Sequence, residues 1–200
     1  MRQLGLKEGE NHQPKLQQKE NQNEASSKTL PQEFKVKYLG KKEATGLWGI
    51  RHTRRPVDEM VNEAKKMAKG KTLPLLNLLV SEKGVSITEM PENVNKNFVG
   101  GFHPIEVISY GVQDLVYTRV FAMIVVKEEA KTNPTIHPFH CHSFVCESRN
   151  SARKLTFALA EAFQQFSKKV KNNNALKPKK FAIDLRTAEE IEADLKDSEA

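Results

Sequence analysis

Leu155, Leu159, Phe163 and Phe166 recur at i, i+4, i+8 and i+11, which places them on one face of a helix. Val170 prolongs the ridge. No other feature constrains the fold as much. An apolar ridge of this length does not stay in water, so the chain before it has to supply a surface for it to close. The spacing predicts a helix over 151–170. Ser148 and Asn150 are candidate N-caps, and Lys168, Lys169 and Lys171 crowd a last turn where cations suit the helix dipole. The run Asn172-Asn173-Asn174 ends it.

The upstream chain supplies that surface as strands. Phe34, Val36 and Tyr38 alternate with Lys35 and Lys37, predicting a half-buried strand that ends at Leu39-Gly40. Trp48 follows in a connection and is expected to pack beneath it. A short helix comes next, with Pro56 at its first position, Thr53 as cap, an apolar stripe of Val57, Met60, Val61, Ala64 and Met67, and Gly70 at its end. From Leu73 the period becomes extended. Residues 75–80 and 85–88 read as a hairpin turning at Ser81-Glu82-Lys83-Gly84. A strand follows with Ile105, Val107 and Ser109 facing one way and Glu106, Ile108 and Tyr110 the other. The longest strand is expected over 116–126, with Val116, Val120, Ala122, Ile124 and Val126 on its inner face, and the last over 139–146. Antiparallel strands closed by one terminal helix predict an α+β fold, a strongly bent sheet or open barrel plugged by that helix.

The ends differ in composition. Residues 1–32 are rich in Gln, Lys, Glu and Asn and bury too little to offset their ordering entropy, so they are expected to be a disordered tail. The domain is expected over 33–172. Residues 173–200 are expected to be a mostly disordered tail, with a short apolar patch at Phe181-Ala182-Ile183 and an acidic helix started by the capping box Thr187–Glu190.

Several function classes are excluded. No apolar run approaches the length of a membrane span, and the start of the chain has no secretory h-region. Its second residue is Arg2, where an N-myristoylation signal needs a glycine. Cys141 and Cys146, five apart on one strand, point to opposite faces and cannot bridge, which fits a reducing, intracellular location. No phosphate loop, dinucleotide fingerprint or zinc-protease motif is present. His140 and His142 share a strand face, but two imidazoles without further spaced ligands do not make a zinc site. Cys141 on a strand has no organised base and reads as an inert buried thiol. Asn133-Pro134-Thr135-Ile136 reads as a turn. The net charge of +7 suits nucleic acid, anionic lipid or acidic peptide. The interleaved exposed aromatics of a nucleic-acid surface are missing.

Six short motifs in order resemble the phosphotyrosine-binding (PTB, or phosphotyrosine interaction) domain, in particular its Numb, Disabled and lipoprotein-receptor-adaptor types. These are Tyr38-Leu39-Gly40, Val80-Ser81 with Gly84-Val85, Ile108-Ser109-Tyr110, Val120-Phe121-Ala122, Cys141-His142-Ser143-Phe144 and Ala162-Phe163. The resemblance implies a pleckstrin-homology-like fold of seven antiparallel strands and a terminal helix, with a short fourth strand near 97–101. It implies a non-catalytic, cytoplasmic adaptor without cofactor. The adaptor would bind Asn-Pro-x-Tyr or Asn-Pro-x-Phe segments of receptor tails by strand addition to an open sheet edge. That edge would be 105–112, so the implied peptide contacts are Ile105, Val107, Ile108, Ser109, Tyr110, Gly111 and Val112, with Leu159, Phe163 and Phe166 from the helix. Phosphotyrosine-requiring members place an Arg where this chain has Phe139, which implies phosphate-independent recognition. Arg51 lies near a second phosphate-contacting position. Disabled-type members also bind phosphoinositides, which makes Arg51, Lys65, Lys66, Lys69 and Lys71 the candidates for lipid contact at the inner face of the plasma membrane.

Overall fold

Alternating burial of Phe34, Val36 and Tyr38 against water-facing Lys35 and Lys37 makes the first strand, β1 (Gln32–Glu43), in the computed structural model, which describes residues 29–172, 182–187, 189–191 and 193. The strand does not stop at Gly40. A bulge between Tyr38 and Gly40 lets it bend and continue, pairing first with β2 and then with β7. Helix α1 (Arg51–Lys65) buries Val57, Met60 and Val61 as expected. It starts a turn before the expected Pro56, and Thr53 donates back to the Ile50 carbonyl at 2.9 Å instead of capping it.

The hairpin of β2 (Leu75–Ser81) and β3 (Gly84–Glu89) turns where expected. Gly84 is required there. Its φ is 144°, and a Cβ would stand 2.1 Å from the carbonyl oxygen of His103 on the next strand. That strand, β4 (Gly101–Pro104), lies later than the expected 97–101. Residues Ile105–Val107 form a 3-10 turn, so β5 spans Ile108–Gln113 and not 105–112. The next strand, β6 (Val120–Val126), also begins later than expected, and Val116 sits in the preceding connection, 65% exposed. A 3-10 turn, Glu128–Lys131, leads on to β7 (Phe139–Cys146), as expected. Helix α2 (Arg149–Asn172) follows, capped by Ser148, whose Oγ accepts from the Ser151 N–H at 3.0 Å.

An eighth strand, β8 (Ala182–Asp184), comes from the stretch expected to be tail. The sheet order is β4-β3-β2-β1-β7-β6-β5-β8, antiparallel except that β8 runs parallel to β5. The sheet is therefore open and eight-stranded, not seven-stranded or closed. Residues 1–28 and most of 173–200 lie outside the described residues, including the expected disordered segments.

The sheet has a core on each face. On one, Phe121, Met123 and Val125 of β6 pack with Phe144, Leu76 and Leu78 under Leu155, Leu159 and Phe163 of α2. On the other, Val120, Ala122 and Ile124 pack with Tyr110, Val112 and Cys141 against Val57 and Met60 of α1. Cys141 and Cys146 fall in opposite cores, both as free thiols.

Three histidines lie among these strands. His142 is fully buried, its Nδ1 3.2 Å from the Tyr38 hydroxyl, and its ring meets that of His103 edge-on at 5.1 Å. Burial first, then the neighbouring imidazoles His103 and His140 and the ammonium groups of Lys41 and Lys127, pulls His142 down to about 3. An unfolded histidine titrates near about 6.5. The unfolded chain therefore takes up a proton first as pH falls, and the domain keeps its full stability only above that value. We expect a loss on the order of 2 kcal/mol between pH 7 and pH 5 from this residue. Urea denaturation across that range should show a shallower decline for His142→Gln. Parallel declines for both proteins would refute the assignment.

Candidate functional site

The crevice between β5 and α2 is built by a glycine. A Cβ on Gly111 would stand 2.7 Å from Leu159 Cδ2 and 2.9 Å from Ile183 Cδ1, distances that side chains do not tolerate. The missing side chain lets the helix and β8 both close on the β5 backbone. Next to it, Ser109 is buried, its hydroxyl donating to the Leu47 carbonyl at 2.7 Å, which ties β5 to the connection that carries Trp48. Tyr110 faces the α1 side, its hydroxyl donating to Asp184 Oδ2 at 3.3 Å. Burial, then the Asp184 charge, pushes the Tyr110 phenol above its ordinary range. Burial alone would raise Asp184, but the Arg186 guanidinium outweighs it and holds the carboxyl below the usual range.

The structure brings together some of the expected residues and separates others. Ile108, Ser109, Tyr110, Gly111 and Val112 form β5, and Leu159 and Phe163 are buried beneath it, with Phe166 half-buried. Ile105 and Val107 belong to the 3-10 turn; Ile105 is a core residue and Val107 packs at the core margin. Trp48, expected to be packed under its loop, is 45% exposed. It lines a groove of about 700 Å³ with Ala160, Phe163, Gln164, Ser167, Lys168 and Lys171 of α2 and Ala182, Ile183 and Leu185 of the returning chain. Nothing in the local pattern around Trp48 signalled this, because its neighbours in the groove come from distant segments.

A second cavity, about 360 Å³, opens at the start of α2 between Arg149, Arg153 and Arg186, beside Gln113, Asp114 and Thr118. Sequence reading missed it for the same reason.

The basic candidates are dispersed. Lys65 lies over the Tyr117 ring at 5.3 Å, and Lys66 and Lys69 project into solvent. Lys71 lines a cavity of about 890 Å³ with Lys41, Lys42 and Lys96, three lysines not singled out in the sequence. Arg51 opens α1 and donates to His52 Nε2 at 3.2 Å. Phe139 packs at the margin of the α1-side core. His140 and His142 lie on β7, but no three His, Cys, Asp or Glu side chains among the described residues are grouped to hold a metal. Burial pushes the Cys141 thiol up to about 12, so it is protonated at neutral pH.

Comparison with known proteins gives a consistent result. The sequence model of the phosphotyrosine interaction domain (PTB/PID) matches residues 34–173. Low density lipoprotein receptor adapter protein 1 of Mus musculus is 30% identical over 136 residues, covering 66% of this chain and 39% of that protein. The Homo sapiens protein of the same name is 29% identical over 131 residues, with the same shares covered. The chain thus spans about 39% of the length of these curated relatives. The solution structure of the C-terminal phosphotyrosine interaction domain of APBB2 from mouse aligns with a TM-score of 0.47 at 20% identity, covering 78% of this chain and 96% of that one.

The close approach at Gly111 can be tested by filling it. Gly111→Ala should cost about 1–3 kcal/mol by overpacking against Leu159 and Ile183. Ile183→Ala in the same chain should recover part of the loss, because it removes one of the two obstructions. Urea melts of the two variants measure this, and an unchanged midpoint for Gly111→Ala would show that α2 shifts freely.

Proposed function

The chain belongs to the phosphotyrosine interaction domain family, and from that premise we propose that it is a non-catalytic adaptor for the cytoplasmic tails of receptors. The observation that carries this reading is the Gly111-centred crevice of β5 and α2 within the segment the family model matches. The relatives' name, an adapter of the low density lipoprotein receptor, supports the same class of partner.

The ligand we propose is an extended segment ending in Asn-Pro-x-Tyr or Asn-Pro-x-Phe. Its backbone would add to the β5 edge at Ile108–Val112, in the place that β8 takes along Tyr110 to Val112. Leu159, Phe163 and Phe166 would take its apolar side chains from the helix side, and the half-exposed Trp48 ring would cover them from the rim. Gly111 would permit the close backbone approach. Unphosphorylated tyrosine should suffice. Phe139 offers no charge to a phosphate, and Arg51 is engaged with His52 at the start of α1.

A second reading rests on a different observation, the cavity that gathers Lys41, Lys42, Lys71 and Lys96. Lys41 and Lys71, with Lys42 (paired with Glu63) and Lys96 (paired with Glu89), would suit an anionic headgroup and would bring the adaptor to the inner face of the plasma membrane. Charge reversal of Lys42 and Lys71 should release the protein from phosphoinositide liposomes and leave peptide binding intact. Unchanged co-sedimentation would remove this reading.

Trp48 is the one tryptophan of the chain, so its emission reports on the groove. Titration with paired Asn-Pro-x-Tyr peptides, plain and phosphorylated, should change Trp48 emission for both, with dissociation constants within about tenfold, or 1.4 kcal/mol. Binding of the phosphorylated peptide alone would refute phosphate independence. Silence with both would refute the groove as the ligand site.

A further inference from the structure

The β5 edge proposed for the ligand is covered by the chain itself. After α2 ends at Asn172, β8 lies parallel along β5 with Tyr110 opposite Ala182, Gly111 opposite Ile183 and Val112 opposite Asp184. The chain then runs toward the start of α2, where Arg153 Nη1 donates to the Arg186 carbonyl at 3.1 Å and Arg149 faces Glu189 at 3.5 Å. It therefore returns along the helix, filling the crevice that a ligand strand would enter.

Its hold is specific. Ile183 packs against the α2-side core. Asp184, 8% exposed, accepts from Tyr110 and from the Arg186 guanidinium at 2.9 and 2.6 Å. The Thr187 N–H donates to Glu190 Oε2 at 2.6 Å, and the Glu190 N–H donates to Thr187 Oγ1 at 3.2 Å, a capping box that starts a helical turn. That turn places Ile191, 1% exposed, in the α1-side core.

Resting on the strand-addition reading, we propose that residues 182–191 are an intramolecular ligand of the groove, and that a receptor-tail peptide binds by displacing them. One face of a strand edge pairs with one partner strand, so the two occupants exclude each other. A short tether from α2 keeps the internal occupant at high effective concentration, on the order of millimolar. Three paired residues are few, so the covered state is held largely by Ile183, Asp184 and Ile191. The peptide's apparent affinity is its intrinsic affinity reduced by the uncovered fraction. The tail therefore sets a threshold that only a peptide with good apolar anchors overcomes.

The test compares the full chain with Ile183→Glu/Asp184→Lys and with the milder Asp184→Asn, each shown to be folded by circular dichroism. Without peptide, amide hydrogen exchange at 110–112 should be faster in the double variant. The unphosphorylated Asn-Pro-x-Tyr peptide, read by Trp48 emission, should bind that variant at least about tenfold tighter than the full chain, with Asp184→Asn between. In the full chain, saturating peptide should strip exchange protection from 182–187. Equal affinities with protection of 182–187 retained at saturation would overturn the proposal. Should no peptide bind either protein, the receptor-tail reading fails alone. A synthetic copy of residues 180–193 added to the double variant then decides the strap: renewed protection at 110–112 supports it, and none overturns it.

Discussion

The fold depends on a sheet that has to be buried on both faces at its centre. In β6, Phe121, Met123 and Val125 enter one core while Val120, Ala122 and Ile124 enter the other, and every one of them is buried. A strand of this composition is stable only with a layer on each side. Helix α2 covers one face and α1 the other, so neither helix is dispensable to the sheet. Covering both faces leaves the edges unprotected. At one edge β4 keeps Phe102 half in water, and at the other β5 is covered by the three-residue strand β8, which pairs with Tyr110 to Val112. Face burial does nothing to satisfy the backbone groups of a strand edge, so that second edge depends on a strand partner.

The parts of this design that repeat with a clear period were legible in the sequence. The α2 ridge, the β2–β3 turn, β7 and the α1 stripe from Val57 to Val61 stand where their spacing put them, because each depends on contacts that recur every two or every three to four residues, whereas α1 ends at Lys65, before the expected Met67 and Gly70. The misplaced boundaries share a cause. Ile105 and Val107 alternate like strand residues and are indeed turned inward, but inside a 3-10 turn. Val116 continues the alternation of β6 yet points into water, since strand pairing starts only at Val120. At element ends hydrophobic alternation outruns backbone pairing, with the side chain still buried at Ile105 and exposed at Val116.

Of the proposed site, the floor is made of elements legible in the sequence and the walls are not. Ile108 to Val112, Leu159 and Phe163 are regular elements with a recognisable order. Trp48, the arginines at the start of α2 and the lysines around the second basic cavity meet only through tertiary structure, from segments far apart in sequence. β8 was harder still, because three residues are too short to show a period. Its apolar patch was visible in the sequence, but its partner was not.

The proposed exchange of one edge strand for another would have to leave β5 itself in place, and the contacts at the end of β5 suit that requirement. Asp114, 1% exposed, accepts from Arg54 of α1 at 2.8 and 2.6 Å and from the N–H groups of Val116 and Tyr117 at 3.0 and 2.8 Å. Arg54 also pairs with Asp58 on its own helix. Removing Arg54 would leave the Asp114 carboxylate buried without its cationic partner, so this link fixes α1 to the β5–β6 turn firmly. These partners come from α1 and the β5–β6 connection, not from the returning strand. The β6 pairing holds β5 from the other side, from Ile108 to Gln113. The strand is thus anchored along its length and at its end by groups that do not take part in the exchange. In the proposed exchange, β5 itself changes at the outer backbone of Tyr110 to Val112 and at the Asp184–Tyr110 contact, while Ile183 leaves the margin of the α2-side core and Ile191 leaves the α1-side core. On the proposed reading, that separation lets the β5 edge change partners while β5 keeps its β6 pairing and its Asp114–Arg54 anchor.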